Sequence, residues 1–238
     1  NLHMVVFSPK TLAFLRALKH HNEREWFKAR KNEYEEHVRN PLLLLLEQLA
    51  KDFQRFAPDL VASPRVSLFR IYRDIRFSAD KSPLKTQIGA YFPNQILMKK
   101  GAGLYLEIGP DGVWSGGGLY RSTTSQLQFI RDHIACNHRK FKNIVESTQF
   151  KKTVGSLHGK KNSRIPRGFH NDHPAAPYLK FRQFLAGCAH PAEFAHTPQF
   201  YKSTITSFQA VTPLVRFLNE SLLTHESDSL QETPRSLE

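Results

Sequence analysis

Two cysteines in 238 residues, Cys136 and Cys188, are too few for a disulfide framework, and neither sits at zinc-ligand spacing. Buried free thiols are expected instead, which suits a reducing cytosol. The leucine run Leu42 to Leu46 is far too short to span a bilayer, and the first residues carry no apolar core of the signal-peptide kind. These absences set the expectation of an intracellular, cytoplasmic protein that does not insert into membranes. Reaction motifs are lacking too: no Ser-centred elbow, no HExxH, no GxxxxGK[ST], no GxGxxG and no internal repeat. Acidic residues are scarce. Against 34 Lys and Arg stand 21 Asp and Glu, a formal charge of +13.

What the chain does have is apolar bulk and localised positive charge. Eighteen Phe among 40% hydrophobic residues support a packed interior. Over 141–190, nine Lys and Arg meet only Glu146 and Asp172, a net +7. Lys151, Lys152, Lys160, Lys161, Arg164 and Arg167 form the peak of that excess. It can attract phosphate or nucleic acid, or serve only as a solvated loop. Residues 224–238 are polar and acidic, and a disordered tail is expected there.

Hydrophobic spacing predicts an α+β fold over residues 5–223. Phe7-Ser8-Pro9 opens a helix with an apolar stripe of Leu12, Leu15 and Leu18. Asn22 with Glu25 marks a second helix start of the capping-box kind. Asn40-Pro41 begins or kinks a third helix, with Leu42, Leu46, Leu49 and Phe53 on one face, and Pro58 ends it. Gly103–Ile108 and Gly112–Leu119 read as strands joined by Gly109-Pro-Asp-Gly112, a hairpin signal. Their short connections imply an antiparallel sheet. Thr123 and Gln126 cap a further helix. Phe141–Val154 reads as broken helix, 155–177 as a long irregular segment, and Tyr178–Cys188 as a return to the sheet. A last helical region follows Thr197-Pro198, interrupted near Pro213.

The stretch from Val66 to Phe92 organises the chain. Its first half alternates, with Phe69, Ile71, Ile75 and Phe77 on one face and Arg70, Tyr72, Asp74 and Arg76 on the other, predicting a strand. Ser78–Lys85 reads as a loop, and Thr86–Phe92 as extended chain again. The run Arg70 to Lys85, RIYRDIRFSADKSPLK, resembles the signature of the family named domain of unknown function 2461. Three more stretches match in order: Asn22–Phe27 (NEREWF), Gly116–Tyr120 (GGGLY) and Pro166–Pro174 (PRGFHNDHP). Leu84 stands where the family usually has Tyr, and His170 where an acidic residue is common. The resemblance implies a mixed α and β fold and brings no established activity.

Three constellations are candidates for chemistry. Arg70, Arg73, Arg76, Lys81 and Lys85, joined by Arg121 and Arg167, make a cationic set suited to phosphate or carboxylate. Asp74 and Asp80 can instead pair with the arginines and anchor the loop. Of Arg76 and Lys81, at least one is expected to touch an anion directly. Gly116–Gly118 can either expose amides to a phosphate or permit close packing. His173 with Asp172 can move a proton; His170, Asp172 and His173 can supply two or three ligands to a metal, with Asp74 or Asp80 completing the shell; or they can simply anchor their loop. No metal site or cofactor follows from these residues. The best reading is a domain that binds a phosphorylated or other anionic ligand, a nucleotide among the candidates. The alternatives are an enzyme using His173 and Asp172, and a nucleic-acid-binding module without catalysis.

Overall fold

A computed structural model describes residues 4–231, the last five as backbone only. The first helix, α1 (Pro9–His20), starts where Ser8 and Pro9 predict it, with Ser8 N–H donating to Thr11 Oγ1 at 3.2 Å. Phe7, Leu12, Leu15 and Leu18 are buried, as the stripe requires. After α2 (Arg24–Ala29) come α3 (Lys31–Tyr34), a π-helical turn at Glu35–Arg39 and α4 (Asn40–Phe56). Leu42, Leu45, Leu46, Leu49 and Phe53 give α4 one buried face.

The alternating stretch 69–77 does not become a regular strand. A short helix, α5 (Pro64–Ser67), leads into an irregular leg joined to its surroundings by the isolated bridges Leu68–Ala90 and Tyr72–Leu84. The alternation itself persists: Ile71, Arg73 and Ile75 are half-buried, while Tyr72, Asp74 and Arg76 are exposed. The returning leg offers little ladder, because Pro83 has no N–H and Asp80 ties the turn to Ser82 through its side chain. Phe77, expected on the apolar face, is 95% exposed at the tip.

Strands β1 (Ile88–Asn94), β2 (Met98–Gly109), β3 (Gly112–Leu119) and β4 (Phe184–His190) form one antiparallel sheet in that order. The Gly109–Gly112 hairpin lies where the sequence marks it, and Gly112 takes the positive φ of 152° that favours glycine. Register then divides the side chains. Phe92, Leu104, Leu106, Ser115 and Ala186 lie on one face and are buried. Gly89, Tyr91, Tyr105, Glu107, Trp114 and Gly187 lie on the other.

The buried face packs on α10 (Phe200–Gln231), where Ser207 Oγ donates to Ser115 O at 2.7 Å. Phe53, Phe92 and Phe208 join α4, the sheet and α10, with ring centroids 5.1–6.1 Å apart. Between β3 and β4 the chain forms α6 (Thr124–Cys136), α7 (His138–Val145), α8 (Thr148–Val154) and α9 (Ala176–Leu179). The predicted capping box of α6 is present in both directions: Thr123 Oγ1 accepts Gln126 N–H, and Gln126 Oε1 accepts Thr123 N–H.

Pro213 sits inside α10 without interrupting it, because Val211, Leu214, Val215 and Leu218 around it are held in the core. The helix also continues past residue 224, where the sequence places the start of a disordered tail. His225 stacks on Phe129 of α6 at 3.5 Å, and Lys100 Nζ reaches Glu226 at 2.9 Å, which fixes this end of the helix. Residues 232–238 of the expected tail lie outside the described residues. Among the described residues, no helix is long and apolar enough to cross a membrane.

Candidate functional site

The site begins with an asparagine. Asn22 does not cap α2, whose N-cap is Glu23. Its amide instead pairs with the backbone of Leu84, accepting Leu84 N–H and donating to Leu84 O, both at 2.9 Å. Leu84 is thereby fixed, with its side chain buried. Two further bonds draw the legs of the loop together: Arg73 N–H to Pro83 O at 2.9 Å and Lys85 N–H to Ile71 O at 2.7 Å. Lys85 is therefore presented from backbone that is held on both sides.

Beside Lys85 lies a cleft of about 630 Å³, bounded by the ends of α1 and β2 and by the loop. This volume is within the range of small-molecule sites. Lys19, Arg73 and Lys85 supply its positive charge, and Asp80 and Glu107 its negative charge. Most of these charges are already answered. Lys19 Nζ binds both carboxylate oxygens of Asp111, at 2.7 and 2.9 Å. Arg73 binds Asp80 and reaches Ser78 Oγ at 3.3 Å. The Asp80 carboxyl is held well below the usual range, mainly by its bonds from Ser82 and then by Arg73.

Glu107 accepts a hydrogen bond from Tyr105 Oη. Burial, reinforced by that carboxylate, pushes the Tyr105 hydroxyl far up, so it remains a donor. Lys85 is the exception. Among the described residues it has no ion pair, and its ammonium lies 5.2 Å from the centre of the Phe69 ring. Burial, and then the nearby Arg73 guanidinium, lower its pKa below 10.5.

The other predicted residues are dispersed. Arg70 lines a second cleft of about 380 Å³, which shares Phe69, Gln87 and Ile88 with the first and is bordered by the π-helical turn. Arg76 folds back on Asp74, with Nε and Nη2 at 3.0 and 2.8 Å from its two oxygens. Lys81 Nζ donates to Ile75 O at 3.0 Å. Arg121 lies over Tyr120 after β3, and Arg167 is exposed in the segment before α9. None of these four lines either cleft.

His173 is occupied locally: its Nδ1 accepts Ala175 N–H at 3.0 Å, and its ring meets His138 edge-on. Asp172 is exposed, and neither residue lines the clefts. Among the described residues, no group of three or more His, Cys, Asp or Glu is placed to hold a metal ion. The triple glycine lies inside β3 and not at a helix start. A Cβ on Gly116 would come within 2.2 Å of Ala186 O, which shows the close packing it permits.

Sequence reasoning missed Lys19, Tyr105 and Glu107, and gave Asn22 a different role. One signal was present: if Leu104, Leu106 and Ile108 face a core, then Tyr105 and Glu107 share the opposite face. Lys19 had none, since its place at the cleft depends on how α1 packs.

The comparisons with known proteins bring a family and no activity. No curated protein and no solved structure gives a significant match. One family model does match, over residues 10–217, and it covers the Asn22 clasp, the cationic loop, the whole sheet and most of α10. On that match the chain belongs to the family described as "Conserved hypothetical protein (DUF2461)".

Proposed function

We propose that this protein binds a small phosphorylated or otherwise anionic molecule in the cleft beside Lys85, a nucleotide being one candidate, and does so as a cytoplasmic protein. One observation carries the reading: Lys85 is a partly desolvated cation without an ion pair among the described residues, set beside a cleft whose other cations are neutralised. A charge in that setting is unfavourable when alone and gains from an anion with little competition from water. Thr86 beside it adds a hydroxyl donor to the lining.

Of the cationic set inferred from sequence, Arg73 and Lys85 belong to this cleft, and Lys19 joins them. The proton-transfer reading built on His173 and Asp172 has less support, since Nδ1 of His173 is engaged by the backbone. The test is thermal stability against inorganic phosphate, sulfate and sugar phosphates. A specific site raises Tm with occupancy, and Lys85→Met should weaken the response about 10- to 100-fold, as loss of one charge-assisted contact does. An unchanged response in Lys85→Met, or no response to any anion in the wild-type protein, would reject the proposal.

A further inference from the structure

The face of the sheet turned away from α10 has an unusual surface, and the cause is its glycines. A Cβ on Gly103 would come within 2.7 Å of the Tyr91 ring. On Gly187 it would come within 2.5 Å of the Trp114 ring, and on Gly116 within 2.8 Å. These glycines are therefore covered, not bare. Trp114 lies across the backbone of β3 and β4, and Tyr91 lies on β2, pinned by its Oη donating to Gly101 O at 2.8 Å.

Tyr105 sits between the strands, 5.7 Å from Trp114 and 5.8 Å from Phe69, with its hydroxyl held by Glu107. Tyr91, Tyr105 and Trp114 are only half-buried. Rings pinned to backbone on one side turn their other side outward, and they are ordered before any ligand arrives. Such rings suit a planar partner, because stacking then costs little conformational entropy.

The row from Phe69 through Tyr105 to Trp114 starts at the cleft wall, where Phe69 also contacts Lys85. We infer that the ligand is a nucleoside phosphate, its phosphate at Lys85 and its base stacked on Trp114, with the Tyr105 ring, tilted 47° to Trp114, meeting the base at an angle. This rests on the reading of the cleft as an anion site. A ring array continuous with one uncompensated cation fits a molecule that joins a planar ring to a single anionic group. The occupant is a free mononucleotide and not a strand. Lys19 and Arg73 are spent on Asp111 and Asp80, so the cleft offers one phosphate position and not a series.

The chain contains two tryptophans, Trp26 and Trp114, so Trp26→Phe leaves Trp114 as the single reporter. That protein is titrated with adenosine 5′-monophosphate, guanosine 5′-monophosphate, ribose 5-phosphate, inorganic phosphate, adenosine and a single-stranded dodecanucleotide. The mononucleotides should quench Trp114 fluorescence. They should also bind roughly 5- to 100-fold tighter than ribose 5-phosphate, the factor that stacking of one base provides. Trp114→Leu, read by thermal shift, should remove that preference, the mononucleotide affinity falling to that of ribose 5-phosphate. Tyr105→Leu provides a second test should Trp114→Leu fold poorly.

Equal affinity for ribose 5-phosphate and mononucleotide, without quenching, would overturn the nucleotide inference and leave the anion site standing. No binding of any anion would overturn both. Adenosine binding as tightly as its phosphate would remove the role of Lys85. A dodecanucleotide that binds far more tightly than the mononucleotides would make a strand the occupant and overturn the inference of a free nucleotide.

Discussion

Asn22 and Leu84, 62 residues apart, are joined by a pair of 2.9 Å hydrogen bonds in which an asparagine side chain stands in for a neighbouring strand. The amide satisfies both backbone groups of a buried residue at a point where the loop has few ladder bonds. Asn22→Ala leaves those groups unpaired, and such a loss costs about 1–3 kcal/mol. We expect a lower denaturant midpoint with an unchanged m-value, and a loss of anion response larger than the stability change alone explains. Asn22→Asp keeps the acceptor and loses the donor, so it should fall between the two. Wild-type stability in Asn22→Ala would show that the clasp is incidental.

A second asparagine does the same at the far end of the sheet. Asn219 of α10 is buried and bonds to Ala102 through both N–H and C=O, at 2.8 and 3.0 Å. Asn219→Leu should destabilise the protein by about 1–3 kcal/mol. Because Asn219 lies on the other side of the sheet, anion binding to the folded protein should be unaffected. Urea denaturation combined with a phosphate titration separates the two effects.

Lys85 sets a pH dependence whose sign follows from its lowered pKa. Between its folded pKa and the ordinary lysine value of 10.5, the unfolded chain binds more protons than the folded one. Stability of the free protein therefore rises with pH across that window. Anion affinity moves the opposite way, since deprotonation removes the attracting charge. Lys85→Met should flatten the Lys85 contribution to both curves. Tm profiles on either side of the window, with and without phosphate, check it. Identical wild-type and Lys85→Met profiles would remove Lys85 from the site.

The two thiols should differ in reactivity. Neither is fully buried, contrary to the expectation from sequence: Cys136 is exposed at the end of α6, whereas Cys188 is half-buried with Sγ donating to Thr153 O at 2.7 Å. Burial pushes the Cys188 pKa up, so it holds less of the reactive thiolate at neutral pH. Intact mass after brief alkylation should show one rapid addition, absent in Cys136→Ser. Two additions at equal rates would mean that β4 opens readily.

The arginines 73 and 76 were grouped by sequence, and the structure separates them. Arg73 is the more enclosed and ties the loop to Asp80, whereas the Arg76–Asp74 pair is largely exposed at 76% and 61%. An exposed pair contributes little to stability. Arg76→Ala should shift Tm less than Arg73→Ala does, and only Arg73→Ala should alter the anion response. A larger effect of Arg76→Ala in both assays would contradict this placement.

Local rules were enough to read much of this chain. Ser8-Pro9, the Thr123–Gln126 box, the leucine stripe of α4 and the Gly109–Gly112 hairpin all act through neighbours a few residues apart, so sequence alone determines them. The alternation at residues 71–76 was equally legible, but whether it became a strand was not. That depended on Pro83, which has no N–H to give, and on Ser82, whose amide and hydroxyl both donate to Asp80 across the turn. Pro213 illustrates the same limit, since burial of its neighbours kept α10 whole.

The charges marked a candidate site in sequence, yet a list of cations does not say which remain unpaired. The tertiary structure chose among the possible pairings, returning Arg76 to Asp74, Lys81 to Ile75 O and Lys19 to Asp111, and it left Lys85 without an ion pair among the described residues. The Lys19–Asp111 pair joins segments far apart in the chain, on which local spacing carries no information, whereas Arg73, Arg76, Asp74 and Asp80 are near neighbours whose spacing alone allows more than one pairing.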